Sequence, residues 1–136
     1  MGEGRVSSAK LLVPAIPSSL RLARLTASSL AADLDWCLDD IEDLRIAVDE
    51  LTAALIDGAG DATLELEFAQ GGRSLFVAGQ CTSPVPLGEL DPLALELLEL
   101  TTDRFLVGGA DGQRRFQIEK GPSVPVERPL ATPDDA

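Results

Sequence analysis

Between positions 61 and 70 the chain reads DATLELEFAQ, and its apolar residues fall on every second position. Leu64, Leu66 and Phe68 share one side; Thr63, Glu65 and Glu67 share the other. A period of two belongs to an extended strand with one buried and one wet face. Gly71-Gly72 then marks a turn, and residues 73–79 (RSLFVAG) read as the antiparallel partner. A hairpin with one dry face needs a covering layer, so helices must supply it.

The flanking sequence offers those helices. After a short apolar stretch bounded by Pro17, read as a strand over 10–14 whose proline is tolerated at a sheet edge, Ser18 or Ser19 caps a helix running to about Leu34. Leu20, Ala23, Ala27, Leu30, Ala31 and Leu34 form its apolar stripe, while Arg21, Leu22, Arg24, Leu25 and Ser28 lie off it. Residues 35–40 (DWCLDD) connect to a second helix, with Asp39 and Glu42 spaced as a capping box. Ile41, Leu44, Val48, Leu51 and Leu55 make the core stripe of that helix, and Gly58 and Gly60 follow its end near Asp57. A loop is expected over 80–91, then a third helix opening on Pro92. Its leucines (Leu93, Leu95, Leu97, Leu98, Leu100) are mainly core, with some on a second side. A hairpin follows, 105–107 and 114–119, around Asp111-Gly112. The expected fold is therefore α/β: a two-layer sandwich with a mixed, mostly antiparallel sheet and helices on one face. One domain spans 9–120, between a flexible N-terminus at 1–8 and a disordered tail at 121–136 that is rich in proline and polar residues.

Charge and side-chain inventory exclude several functions. With 23 acidic against 11 basic residues the net charge is −12, which argues against direct nucleic-acid binding. No apolar run is long enough to span a membrane, and the first ten residues contain no apolar signal segment, so a cytoplasmic protein is expected. The absence of histidine removes Ser-His-Asp and Cys-His catalysis. Two cysteines, Cys37 and Cys81, make a poor zinc site and read as small buried hydrophobes, so no metal centre is expected. Trp36, the only tryptophan, reads as a core plug.

Three stretches carry a resemblance: LARLTASSLAADLD (22–35), IEDLRIAVDELTAALIDGA (41–59), and LALELLELTTDRFLV followed by GQRRFQIEK. In order and spacing they resemble the RsbW/SpoIIAB-type anti-sigma factors of the GHKL superfamily (the Bergerat, histidine kinase-like ATPase fold), and especially the degenerate actinobacterial SigF/SigB-type members. The resemblance implies that Glu50 stands where the family has its general base. Ala54 stands where the family's asparagine holds Mg²⁺, a methyl group in place of an oxygen ligand. Cys81 falls near the adenine-binding aspartate, and Pro92 and Ala94 replace glycines of the lid whose N–H groups would meet phosphate. Glu50 is then a relic base or a solvated carboxylate, and no cofactor is expected. ATP with magnesium would bind only if a divergent site still grips it.

Arg24, in ARLT, resembles a first-helix arginine that contacts partners in the family; Arg21 and Leu25 are its neighbours. The function implied is sequestration of an alternative sigma factor by direct binding, as a homodimer, opposed by a STAS-domain anti-anti-sigma factor. The alternatives are an active serine kinase that phosphorylates that antagonist, and a GHKL-derived module with an unrelated partner.

Overall fold

The computed structural model describes residues 8–123, so the expected N-terminal segment, except Ser8, and positions 124–136 of the expected tail lie outside it. In chain order the elements are β1 (Ser8–Pro14), a 3-10 turn (Pro17–Ser19), α1 (Leu20–Asp33), α2 (Leu38–Ile56), β2 (Thr63–Gly71), β3 (Ser74–Thr82), α3 (Pro92–Thr101), β4 (Arg104–Ala110) and β5 (Gln113–Lys120). The five strands form one open sheet in the order β1-β2-β3-β5-β4.

Every pairing is antiparallel. The expected mixed sheet is corrected here for a topological reason. β3 and β4 run the same way but never touch, because β5 lies between them and opposes both.

The alternation in β2 sets the dry face. Leu64, Leu66 and Phe68 are buried; across the register they meet Cys81, Gly79 and Val77 of β3, and Phe116 and Ile118 of β5 continue the same rows. Gly79 is required where it stands: a Cβ there would come within 2.4 Å of the Phe116 ring and 3.0 Å of Leu66. Against this face lies the stripe of α2, with Leu44, Val48, Leu51 and Leu55 fully buried. The buried side of α1 consists of alanines only, Ala23, Ala27 and Ala31. Small side chains allow α1 and α2 a close approach, and Leu22 and Leu25 stay exposed.

Local chemistry shifts several expected boundaries. Ser19 precedes α1, but its hydroxyl donates to the Pro14 carbonyl at 2.7 Å instead of capping the helix; the 3-10 turn already occupies that position. α2 begins at Leu38 with Cys37 as N-cap, which places Asp39 inside the first turn and removes the capping box. There Asp39 and Asp40 face the positive end of the helix dipole. β3 continues through Gln80, Cys81 and Thr82, positions expected in a loop, because their partners on β5 extend equally far. Trp36 is the expected plug; its Nε1 donates to the Arg73 carbonyl at 2.8 Å. Cys81 is buried, but Cys37 is exposed, which corrects the expectation for that thiol.

Candidate functional site

Two concavities lie at opposite ends of α2. The first is a cleft of about 560 Å³ between the C-terminal half of α2 and the loop leading into α3. It brings together Glu50, Ala54 and Ala94, three positions singled out in the sequence. Gly88, Glu89 and Asp91 come from the loop, and Asp57 from just past the end of α2. Four carboxylates therefore line the cleft, and among the described residues that line it none is basic. Asp91 also caps α3, accepting from the Leu93 N–H at 2.9 Å. Among the described residues no three acidic or thiol groups cluster as ligands for a metal ion.

Two other positions are not part of this cleft. Pro92 starts α3 and is exposed, away from the lining. Cys81 is buried on β3 beneath the helices; burial raises its thiol pKa, and the nearby Arg114 opposes that shift.

What shapes the cleft is a buried cation. Arg114 on β5 is 3% exposed. Its Nη1 donates to the carbonyls of Leu55 and Asp57, both at 2.7 Å, and its Nε and Nη2 donate to the Val85 carbonyl at 3.1 and 2.9 Å. One side chain thus satisfies the open carbonyls at the end of α2, meets its negative dipole end, and ties the loop to it. Ser83 N–H donates to Gly112 at 2.8 Å and fixes the start of that loop. The loop wall is held from below.

The second concavity is a groove of about 730 Å³ between α1 and the first turns of α2. Arg21, Arg24 and Leu25 of α1 all line it, so the three partner-contact candidates stand together. α2 contributes Leu38, Asp39, Ile41, Glu42 and Arg45. Leu38 and Leu25 are 82% and 57% exposed, a large apolar area for neighbouring side chains. Arg45 pairs with Glu42 at 2.8 Å. Arg24 has no ion pair along its own helix, but its Nε lies 3.2 Å from Asp49 Oδ1 on α2. The N–H is not aimed at the oxygen, so this is a charge contact without a hydrogen bond, between two atoms shielded from water. Burial raises the Asp49 pKa, and Arg24 and Arg45 only partly offset it. Arg21 makes no ion pair among the described residues.

No protein-family model matches the chain, and no curated protein matches it. The two surfaces must therefore be read from their own chemistry.

Some of that chemistry was not drawn from the sequence. On β5, Arg114 and Lys120 share the inward side with Phe116 and Ile118; two cations on a dry face were the available signal. Residues 121–123, expected to lie in the tail, are bonded to the domain. Gly121 N–H donates to Asp103 Oδ2 at 2.8 Å, and Ser123 bonds Asp40 through its N–H at 2.8 Å and its hydroxyl at 2.6 Å. Asp40, almost fully buried, also accepts from the Cys37 thiol at 3.3 Å. Burial alone would raise the Asp40 pKa; the bonds from Ser123 and Cys37 and the field of Lys120 outweigh it and hold the carboxyl below its usual value.

Proposed function

We propose that this protein works by binding, as an anti-sigma factor of degenerate GHKL-like architecture that sequesters an alternative sigma factor. The observation that carries the reading is the charge of the cleft. Glu50, Asp57, Glu89 and Asp91 surround the space where a nucleotide-binding member would hold phosphates, with no cation among the described lining residues to oppose them. Ala54 offers a methyl group where Mg²⁺ needs an oxygen. Phosphoryl transfer depends on metal and positioning, and these residues do not fit a magnesium–triphosphate group.

The groove supports the binding half of the reading. It combines exposed leucines with arginines, a composition typical of binding hot spots. On this reading Arg24, Arg21 and Leu25 touch the partner, release proceeds by competition with a STAS-domain antagonist, and the protein acts as a homodimer in the cytoplasm. Titration calorimetry with Mg·ATP should give no saturable heat. Gel filtration with an alternative sigma factor of the source organism should give a complex that Arg24→Ala weakens. Tight Mg·ATP binding, or no complex with any such sigma factor, would end the proposal.

A further inference from the structure

The two edges of the sheet are built differently. β1 carries Lys10, paired with Glu65 and Glu67 of β2, and ends on Pro14, two devices that discourage a further strand. β4, the other edge, has neither lysine nor proline, and among the described residues no strand pairs with its outer side. The N–H and C=O groups on that side are a template for one more strand.

The side chains of β4 select that strand. In RFLVGGA the bulky residues Arg104, Phe105 and Leu106 fill the first half, and Gly108, Gly109 and Ala110 fill the second. Leu106 is 65% exposed. Gly109 is required within the chain, because a Cβ there would come within 2.7 Å of the Gln113 carbonyl oxygen. Gly108 is not: its φ is not positive, and a Cβ there would meet nothing within 4 Å. Glycine weakens a strand interior, and one without an internal reason marks the close approach of something outside. A hollow of about 530 Å³ runs along this half of β4, with Leu106, Gly108, Ala110, Asp111 and Arg115 in its lining.

We propose that β4 pairs antiparallel with β4 of a second copy about a twofold axis at Val107, joining two five-stranded sheets into one. Val107 then faces Val107, Leu106 faces Gly108, Phe105 faces Gly109, and Arg104 faces Ala110. Every bulky side chain meets a small one, and Leu106 of each copy enters the hollow of the other. Arg104, 79% exposed and 3.8 Å from Glu119, comes beside Asp111 of the second copy, so the cationic end of one strand meets the acidic end of the other. Moving the axis to Leu106 or Gly108 would oppose like to like and leave the ends of both strands unpaired. The full register adds about six to eight backbone hydrogen bonds. A twofold seam also closes at two copies, whereas β4 against β1 would propagate as a filament.

The seam rests on the homodimer of the reading above and on no other part of it; it uses residues of neither the groove nor the cleft.

The test is sedimentation velocity of the full chain, with no sigma factor present. A dimer is expected. Gly108→Lys, for which the single chain has room, should raise the dimer dissociation constant at least tenfold while circular dichroism stays native. In a Cys37→Ser background, Val107→Cys should oxidise to a covalent dimer, since a paired position lies within disulfide reach of its own copy. Ala110→Cys should not, because its copy lies about 20 Å away along the strands. A dimer that survives Gly108→Lys, or that cross-links at 110 and not at 107, overturns the seam and leaves the homodimer standing. A monomer ends both, and slow hydrogen exchange along β4 of that monomer would mean that another part of the same chain covers the edge. Sigma-factor binding is judged separately, by its own gel filtration.

Discussion

At its N-terminal half α2 borders a groove with three guanidinium groups; at its C-terminal half it borders a cleft with four carboxylates and no cation among the described lining residues. The two spaces are of similar size, about 730 and 560 Å³, so volume does not distinguish what each can hold. Charge and apolar exposure do. The groove exposes leucines beside arginines, whereas the cleft exposes small residues and carboxylates around a wall fixed by Arg114. A helix that looks like a catalytic element in sequence therefore borders exposed leucines and arginines at the opposite end from the cleft.

The largest expected effect breaks the cleft side of the contrast. Arg114→Met removes every hydrogen bond from the guanidinium to Leu55, Asp57 and Val85 and leaves their carbonyls short of donors. Bonds from a charged donor contribute about 1.5–3 kcal/mol each, without strict additivity, so a loss of about 3 kcal/mol is expected in urea unfolding. Limited proteolysis between 83 and 91 should accelerate as well. An unchanged unfolding midpoint would mean that something else holds the wall.

Next comes the groove. Arg24→Ala should weaken the proposed sigma-factor complex by about 2 kcal/mol, roughly thirtyfold in Kd, the size of a hot-spot arginine. Glu50→Ala, at the other end of α2, should leave that Kd unchanged. Equal losses from the two variants would erase the distinction between the ends.

A smaller effect separates two carboxylates on α2. Asp40→Asn weakens the grip on Ser123 and should cost about 1–2 kcal/mol at neutral pH. The folded-state pKa of Asp40 lies below its unfolded value of 3.8. Its contribution is therefore present above that value and fades as pH falls through the lower, folded one. The gap between wild type and variant should close in acid. Asp49 is shifted the other way: its folded pKa is raised, so its contribution is full below the unfolded value and fades as pH rises through the folded one. Asp49→Asn should consequently cost less than Asp40→Asn at neutral pH. Chemical denaturation of both variants across a pH series measures this.

How far the sequence could be read follows from which forces are local. The alternation of Leu64, Leu66 and Phe68, the stripe from Leu44 to Leu55, and Pro92 at the start of α3 are encoded by neighbours in the chain, and the elements form where expected. The gathering of Glu50, Ala54 and Ala94, and of Arg21, Arg24 and Leu25, was also legible, because helix period and element order bring each set together. Features that depend on distant partners were not. The position of β5 between β3 and β4 decides that the sheet is antiparallel throughout, and nothing in a local window specifies it. Arg114 reaches from β5 to the end of α2, 57 and 59 residues away in sequence, and Ser123 returns to Asp40 across 83. At the start of α2 the cap falls on Cys37 and not on Asp39, and Asp40 in the first turn holds Ser123.

The smallest expected effect is the sharpest probe of the cleft. Ala54→Asn restores the amide oxygen that a magnesium site would use, one turn from Glu50 on α2. If the missing ligand were the whole defect, this variant would recover Mg·ATP binding. The cleft predicts otherwise. Glu89 and Asp91 remain on the loop, Asp57 remains beyond the helix end, and no lysine or arginine among the described lining residues counters a triphosphate. The loop cannot readily withdraw them, because Arg114 holds it through Val85. Calorimetry should show no saturable heat for Ala54→Asn with Mg·ATP, as for wild type, and a substitution of this kind at a half-buried helical position open to the cleft should shift stability by only about 0.5 kcal/mol. Recovery of binding would trace the proposed lack of nucleotide binding to one side chain and remove the carboxylates from the explanation.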